Sequence, residues 1–198
     1  MNQEKKKKSV KRELIEWGIF FGVVIFLYGT GLHTTVLGGI QGLFLKTGVM
    51  SPSLMAEKDQ RAASYQIPLT DLEGKAVDIS ALKGKVIFLN FWATWCPPCI
   101  AEMPEIAGLY EDVASEDIAF VMVSVDRDFE KLEKFVQKKE YKFPIYRLSG
   151  SLPSTYEASS IPTTYLISPS GKIIMEKTGM GSYNNEGFKE VLKEAGKL

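Results

Sequence analysis

From Trp17 to Leu45 the chain runs 29 residues without Asp, Glu, Lys or Arg. A helix crossing the hydrocarbon core of a bilayer needs about 20 residues. A soluble core helix of that length carries a polar face, and this stretch has almost none. The pattern predicts a transmembrane helix over about Trp17 to Leu37. Gly38-Gly39 then loosen the helix, and Ile40, Leu43, Phe44 and Leu45 are expected along the outer interface. Trp17 sits where an interfacial aromatic belt would place it; Tyr28 falls inside the run.

Beyond this run the periodicity changes. Ser51 to Arg61 is polar and reads as part of a tether. Tyr65 to Leu69 and Ala76 to Ile79 are short strand candidates around the turn residues Asp71-Leu72-Glu73-Gly74-Lys75. Val86 to Phe91 is a continuous apolar run, as expected of a buried strand, and Ile118 to Val125 is another. Pro97 to about Val113 reads as helix. So does Phe129 to Lys139, with Leu132, Phe135 and Val136 on its apolar face. Phe143 to Arg147 is a short strand, and Ser154 to Ala158 one helical turn. Thr163 to Ile167 and Lys172 to Lys177 form a hairpin across Ser168-Pro169-Ser170-Gly171, and a last helix spans about Asn185 to Ala195. Strands alternating with helices and closing on a hairpin imply an α/β sheet of mixed direction.

Composition sharpens this picture in two places. Hydrophobic residues make up 45% of the chain, ample for a core. The net charge is zero, but residues 1–16 carry +3 and the remainder −3. A mildly acidic body argues against nucleic-acid binding. The basic residues Lys5 to Lys8, Lys11 and Arg12 precede the apolar run, and such flanks stay in the cytoplasm. The expected organisation is a cytoplasmic tail (1–16), a membrane anchor with its interfacial segment (17–45), a tether (46–61) and a folded domain (62–198). The folded domain then lies outside the cytoplasm, where disulfides persist. A cleaved secretory signal is the competing reading, although the run is long for one and shows no small-x-small cleavage site. His33, the one histidine, lies in the run and reads as a packing or interfacial residue.

The chemistry sits in Trp95-Cys96-Pro97-Pro98-Cys99, which holds both cysteines. They can pair only with each other or with another molecule's thiol. A bridge across so small a loop adds little chain-entropy stabilisation, so redox chemistry is the natural reading. A strand leads in and a helix leads out. Cys96 at a helix N-terminus faces unpaired N–H groups and the positive end of the dipole, which favours its thiolate. Cys96 is therefore the expected nucleophile and Cys99, one turn on, the resolving thiol. Pro97 and Pro98 remove two backbone donors, which leaves Cys96 less acidic than in strong oxidants. A four-ligand zinc site cannot be assembled from two cysteines and one distant histidine.

The segment Asn90-Phe91-Trp92-Ala93-Thr94-Trp95-Cys96-Pro97-Pro98-Cys99 resembles the active-site segment of thioredoxin-fold proteins. Within that fold the chain resembles the TlpA/ResA-like, membrane-anchored, extracytoplasmic thiol–disulfide oxidoreductases, a branch related to the AhpC/TSA redoxins. Pro104 matches the proline of the active-site helix, and Ile161-Pro162-Thr163 the cis-proline loop. Ile67 to Lys85 matches the branch's additional N-terminal hairpin. The resemblance spans roughly residues 62–195. It implies a thioredoxin-like α/β fold: a mixed central sheet flanked by helices, an extra N-terminal β-hairpin and one N-terminal transmembrane helix.

The same resemblance places a catalytic glutamate at Glu102 and makes Pro162 cis. It makes Trp95, Pro97, Pro98, Ile161 and Pro162 the candidate substrate contacts; for Trp95, shielding of the disulfide is the alternative. One departure stands out. Thioredoxins proper carry a buried Asp where this chain has Asn90, so proton transfer there cannot run through that position, and Glu102 is the nearest replacement. Glu105, Glu111 and Asp112 read as ordinary surface charges.

The implied activity is reduction of disulfides in exported proteins or apocytochrome c. Electrons would come from a DsbD/CcdA-like membrane donor, and the cysteine pair itself would be the redox centre, without organic cofactor or metal. A thiol oxidase of the same fold is the nearest alternative. A redoxin-type peroxidase needs a Pro-x-x-x-Thr-x-x-Cys setting that the residues before Cys96 do not supply. A non-catalytic binding module sits poorly with the intact cysteine pair.

Overall fold

A computed structural model describes residues 10–30, 52–156 and 159–198. Helix α1 spans Val10–Thr30. Most of its apolar side chains from Leu14 to Tyr28 stand exposed, including Trp17, Phe20, Phe21, Ile25 and Phe26. It is the one helix among the described residues long and apolar enough to cross a membrane. It begins well before Trp17, because the preceding Lys, Arg and Glu residues are good helix formers. The outer end of the expected span, His33 and the Gly38 to Leu45 segment lie outside the described residues.

The rest is built on an eight-stranded sheet, in the order β1-β8-β7-β4-β5-β6-β2-β3. The strands are β1 (Arg61–Ala62), β2 (Leu69–Thr70), β3 (Ala76–Val77), β4 (Val86–Trp92), β5 (Ile118–Ser124), β6 (Ile145–Leu148), β7 (Thr163–Ile167) and β8 (Lys172–Thr178). The helices are α2 (Pro97–Val113), α3 (Phe129–Lys139) and α4 (Glu186–Ala195). β4, β5 and β6 are parallel. β7 and β8 run antiparallel to β4 and to each other.

The crossovers β4–α2–β5 and β5–α3–β6 step the same way along the sheet, so right-handed connection puts both helices over one face. Alternation along β4 divides its side chains accordingly. Phe88 and Trp92 point into a core with Met103 and Ile106 of α2, Leu132 of α3 and Phe188 and Leu192 of α4. Ile87, Leu89 and Phe91 point the other way, into a core with Ile67, Ile79, Tyr156 and Tyr165. Asn90 shares the parity of Phe88 and Trp92 and therefore faces α2. This places one polar residue of a wholly buried strand directly under the helix that carries the cysteines.

The additional hairpin β2–β3 attaches to the outer side of β6. Its turn is fixed by Asp71, whose Oδ1 accepts from the amides of Glu73 and Lys75, and by Gly74 at φ 83°. Residues 55–62, which composition reads largely as tether, run along the opposite edge instead. The Met55 amide donates to Ile174 O at 2.7 Å, and Arg61 pairs with Ile173. An open β8 edge offers unpaired backbone groups, and this segment covers them.

Candidate active site

The site is assembled where β4 ends. Val125 N–H donates to Trp92 O at 2.9 Å, so β4 and β5 stay paired to their tips. The chain then turns through Ala93–Cys96, closed by the Cys96 amide on Ala93 O at 3.2 Å. Asp126 pins this turn from below. Its carboxyl accepts from Thr94 N–H at 2.9 Å, Thr94 Oγ1 at 2.7 Å and Ser124 Oγ at 2.7 Å. No motif marked Asp126; the available signal was a charged residue closing an apolar strand.

Cys96 is the N-cap of α2, with prolines at the first two helical positions. Cys96 and Cys99 form a disulfide with Cα atoms 5.3 Å apart. The Cys99 amide reaches Cys96 Sγ at 3.3 Å. The two cysteines differ in access: Cys96 retains 4% of its surface and Cys99 none. Trp95 beside them is 61% exposed, whereas Trp92 is sealed in the core. Pro97 and Pro98 are half-buried. The Ile161–Pro162 bond is cis, and Ile161 O lies 3.8 Å from Cys96 Sγ. Trp95, Pro97 and Pro98 flank Cys96 and its helix start along the chain, the Ile161–Pro162 loop faces it through the Ile161 carbonyl, and Glu102 follows Cys99 by three residues on α2.

Glu102 is fully buried. Its Oε1 accepts from Asn90 Nδ2 at 2.9 Å and its Oε2 from Gly181 N–H at 3.2 Å. Burial pushes its carboxyl up from the ordinary 4.5 to about 8, against the pull of the Gly181 and Asn90 donors and the Lys177 charge. Behind it, Asn90 Nδ2 also donates to Thr164 Oγ1 at 2.9 Å, and Tyr183 donates to the same oxygen at 2.7 Å. Burial, reinforced by the Glu102 charge, raises the Tyr183 phenol well above 10.

Glu105 does not behave as a plain surface charge. Its Oε2 accepts from Ser182 Oγ at 3.0 Å and Tyr183 N–H at 3.2 Å. It thereby clamps the 181–183 loop to α2. Glu111 and Asp112 do lie at the surface, paired with Lys142 at 2.8 Å and Lys189 at 2.9 Å. Among the described residues, no group of three or more His, Cys, Asp or Glu is placed to hold a metal.

A dithiol at a helix N-terminus, opposed by a cis-proline on a mixed sheet, defines a thioredoxin-like thiol–disulfide oxidoreductase. Residues 59–175 match the AhpC/TSA family, and the chain belongs to it. It is 33% identical to the thiol-disulfide oxidoreductase ResA of Bacillus cereus, over 89% of this chain and 95% of that protein. ResA of Bacillus subtilis is 31% identical over 87% of this chain and 88% of its own length. The crystal structure of StoA from Bacillus subtilis superposes with a TM-score of 0.54 at 30% identity, covering 67% of this chain and 98% of StoA. The chain is thus an enzyme of thiol–disulfide exchange.

Proposed function

We propose that this oxidoreductase is a reductase, anchored in the cell membrane by α1, with its dithiol on the extracytoplasmic side. One observation carries the direction. Cys96 Sγ sits at a helix N-terminus, yet Pro97 and Pro98 offer it no N–H, and the amide that reaches it is that of Cys99. A strong oxidant needs a stabilised reduced form. A thiolate with so few donors is poorly stabilised, which favours handing electrons on.

In the reaction, the Cys96 thiolate attacks a substrate disulfide. A mixed disulfide forms and one substrate thiolate leaves. Cys99 gives up its proton and attacks Cys96 Sγ, which releases the second substrate thiolate and leaves the Cys96–Cys99 disulfide. Glu102 takes the Cys99 proton. A group titrating near 8 is matched to a thiol, whose ordinary value is about 8.5. Trp95, Pro97, Pro98, Ile161 and Pro162 form the surface on which the substrate chain lies. Two electrons must then return from a membrane donor of the DsbD/CcdA type. Exported proteins or apocytochrome c are the disulfides served.

The reduction potential of Cys96–Cys99 tests the direction. A value near that of thioredoxin, about −270 mV, is expected. A value near that of DsbA, about −120 mV, would make the protein an oxidase.

A further inference from the structure

Thr164 stands directly across the ladder from Asn90, on β7. It and Tyr183 close a chain of polar contacts that ends on Glu102. Tyr183 has a single hydroxyl hydrogen, and it goes to Thr164 Oγ1. Asn90 Nδ2 has two, one for Thr164 Oγ1 and one for Glu102 Oε1. Among the described residues, Asn90 Oδ1 has no hydrogen-bond partner although it is buried. An amide is free to turn over, and turning would give that oxygen the Thr164 hydroxyl. The nitrogen is held inward by the two acceptors that face it, the Glu102 carboxylate and Thr164 Oγ1, whose second lone pair takes the Tyr183 hydrogen.

We propose that Thr164 is a positioning residue for the exchange reaction: held as an acceptor under Tyr183, it fixes the Asn90 amide with its nitrogen towards Glu102. The inference rests on the reading of Glu102 as the proton carrier and extends it to residues outside the site. With the nitrogen inward, Asn90 donates to an ionised carboxylate. With the oxygen inward, it pairs only with a protonated one. Thr164 therefore biases Glu102 towards giving up its proton. The other groups facing Glu102 are the Gly181 amide, Lys177 of β8, the Tyr183 phenol and, one turn back on α2, Cys99. Of these, the Tyr183 phenol loses its acceptor in Thr164→Val and regains it in Thr164→Ser, while the other three keep their places.

The test is the titration midpoint of the Glu102 carboxyl, read by carbon-13 NMR in the oxidised full-length protein. Thr164→Val keeps the shape and removes the acceptor. It is expected to raise the midpoint by about half a pH unit or more. Thr164→Ser restores the oxygen and should return the midpoint to the wild-type value. Thr164→Ala also removes the acceptor and should raise it too, which keeps the test open if Thr164→Val does not fold; Asn90→Leu removes the donor itself and should likewise raise it. The proposal is overturned if Thr164→Val leaves the midpoint in place, if Thr164→Ser shifts it as far as Thr164→Val, or if Asn90→Leu leaves it unmoved. Failure of the underlying reading looks different. In that case Glu102→Gln would leave the pH dependence of disulfide exchange unchanged, whatever the carboxyl midpoints of the other variants.

Discussion

Glu102 occupies a place where its charge is costly, and that cost is measurable as stability. The unfolded chain releases this proton near 4.5 and the folded one near 8. Between those values the folded state binds more protons, so stability falls as pH rises. The contribution is fully present below about 4.5 and gone above about 8. Its size is on the order of 5 kcal/mol for the whole interval. Urea unfolding of the oxidised protein at pH 5, 7 and 9 should show that decline, and Glu102→Gln should flatten it. A wild-type slope surviving in Glu102→Gln would assign the decline to other groups. Gly181, which donates to this carboxyl, has no room for a side chain. A Cβ there would lie 2.5 Å from the ring of Tyr183, which is itself fully buried. Gly181→Ala should therefore cost about 1–3 kcal/mol by overpacking, seen as a lower urea midpoint. For the cysteines, Cys99→Ser should leave Cys96 trapped in mixed disulfides that survive non-reducing electrophoresis. Cys96→Ser should trap far less, because Cys99 has no exposed surface.

The element that carries the chemistry is the turn between β4 and α2, and Asp126 at the tip of β5 holds it. Asp126→Ala would orphan Thr94 N–H and release two hydroxyls at a buried site. A loss of about 3 kcal/mol is expected, against about 1 kcal/mol for Thr94→Val, which keeps the backbone bond. Equal losses in urea unfolding would mean that Asp126 serves the side chain alone. The elements themselves were largely legible. α2, α3 and β7 begin and end where period and caps place them, because each is bounded by a local signal: Cys96-Pro97, Asp128 and cis-Pro162. Prolines displaced the short strands. Tyr65 to Leu69 pairs only from Leu69, and Phe143 to Arg147 only from Ile145, because Pro68 and Pro144 lack the N–H a ladder needs. Parity along β4 puts Asn90 on the helix side, but its partner there, Glu102, comes from the packing of α2. The roles of Thr164, Tyr183 and Glu105 depend on the register of β7 against β4 and on a loop that folds back 77 to 79 residues later. No local pattern records such a return.

At the scale of the whole molecule, the question is which side of a membrane the dithiol faces. Residues 1–16 carry +3, concentrated in Lys5 to Lys8, Lys11 and Arg12, while the body carries −3. Helix α1 exposes Trp17, Phe20, Phe21, Ile25 and Phe26, so among the described residues nothing shields them from water. Burying such a surface in lipid is strongly favourable, and in the orientation proposed here the lysines keep the amino end in the cytoplasm. A reductase outside the cytoplasm cannot draw on cytosolic thiols directly, so orientation determines who its electron donor is. A membrane-impermeant maleimide, applied to intact cells after mild reduction, should label Cys96. It should leave Cys96 unlabelled in sealed inside-out vesicles. Replacing Lys5 to Lys8 by Glu should weaken the orientation bias, so that part of the population becomes unreactive in cells and reactive in vesicles. Labelling only in inside-out vesicles would place the domain in the cytoplasm. The donor would then be a soluble thiol, and the membrane-donor route proposed above would be wrong.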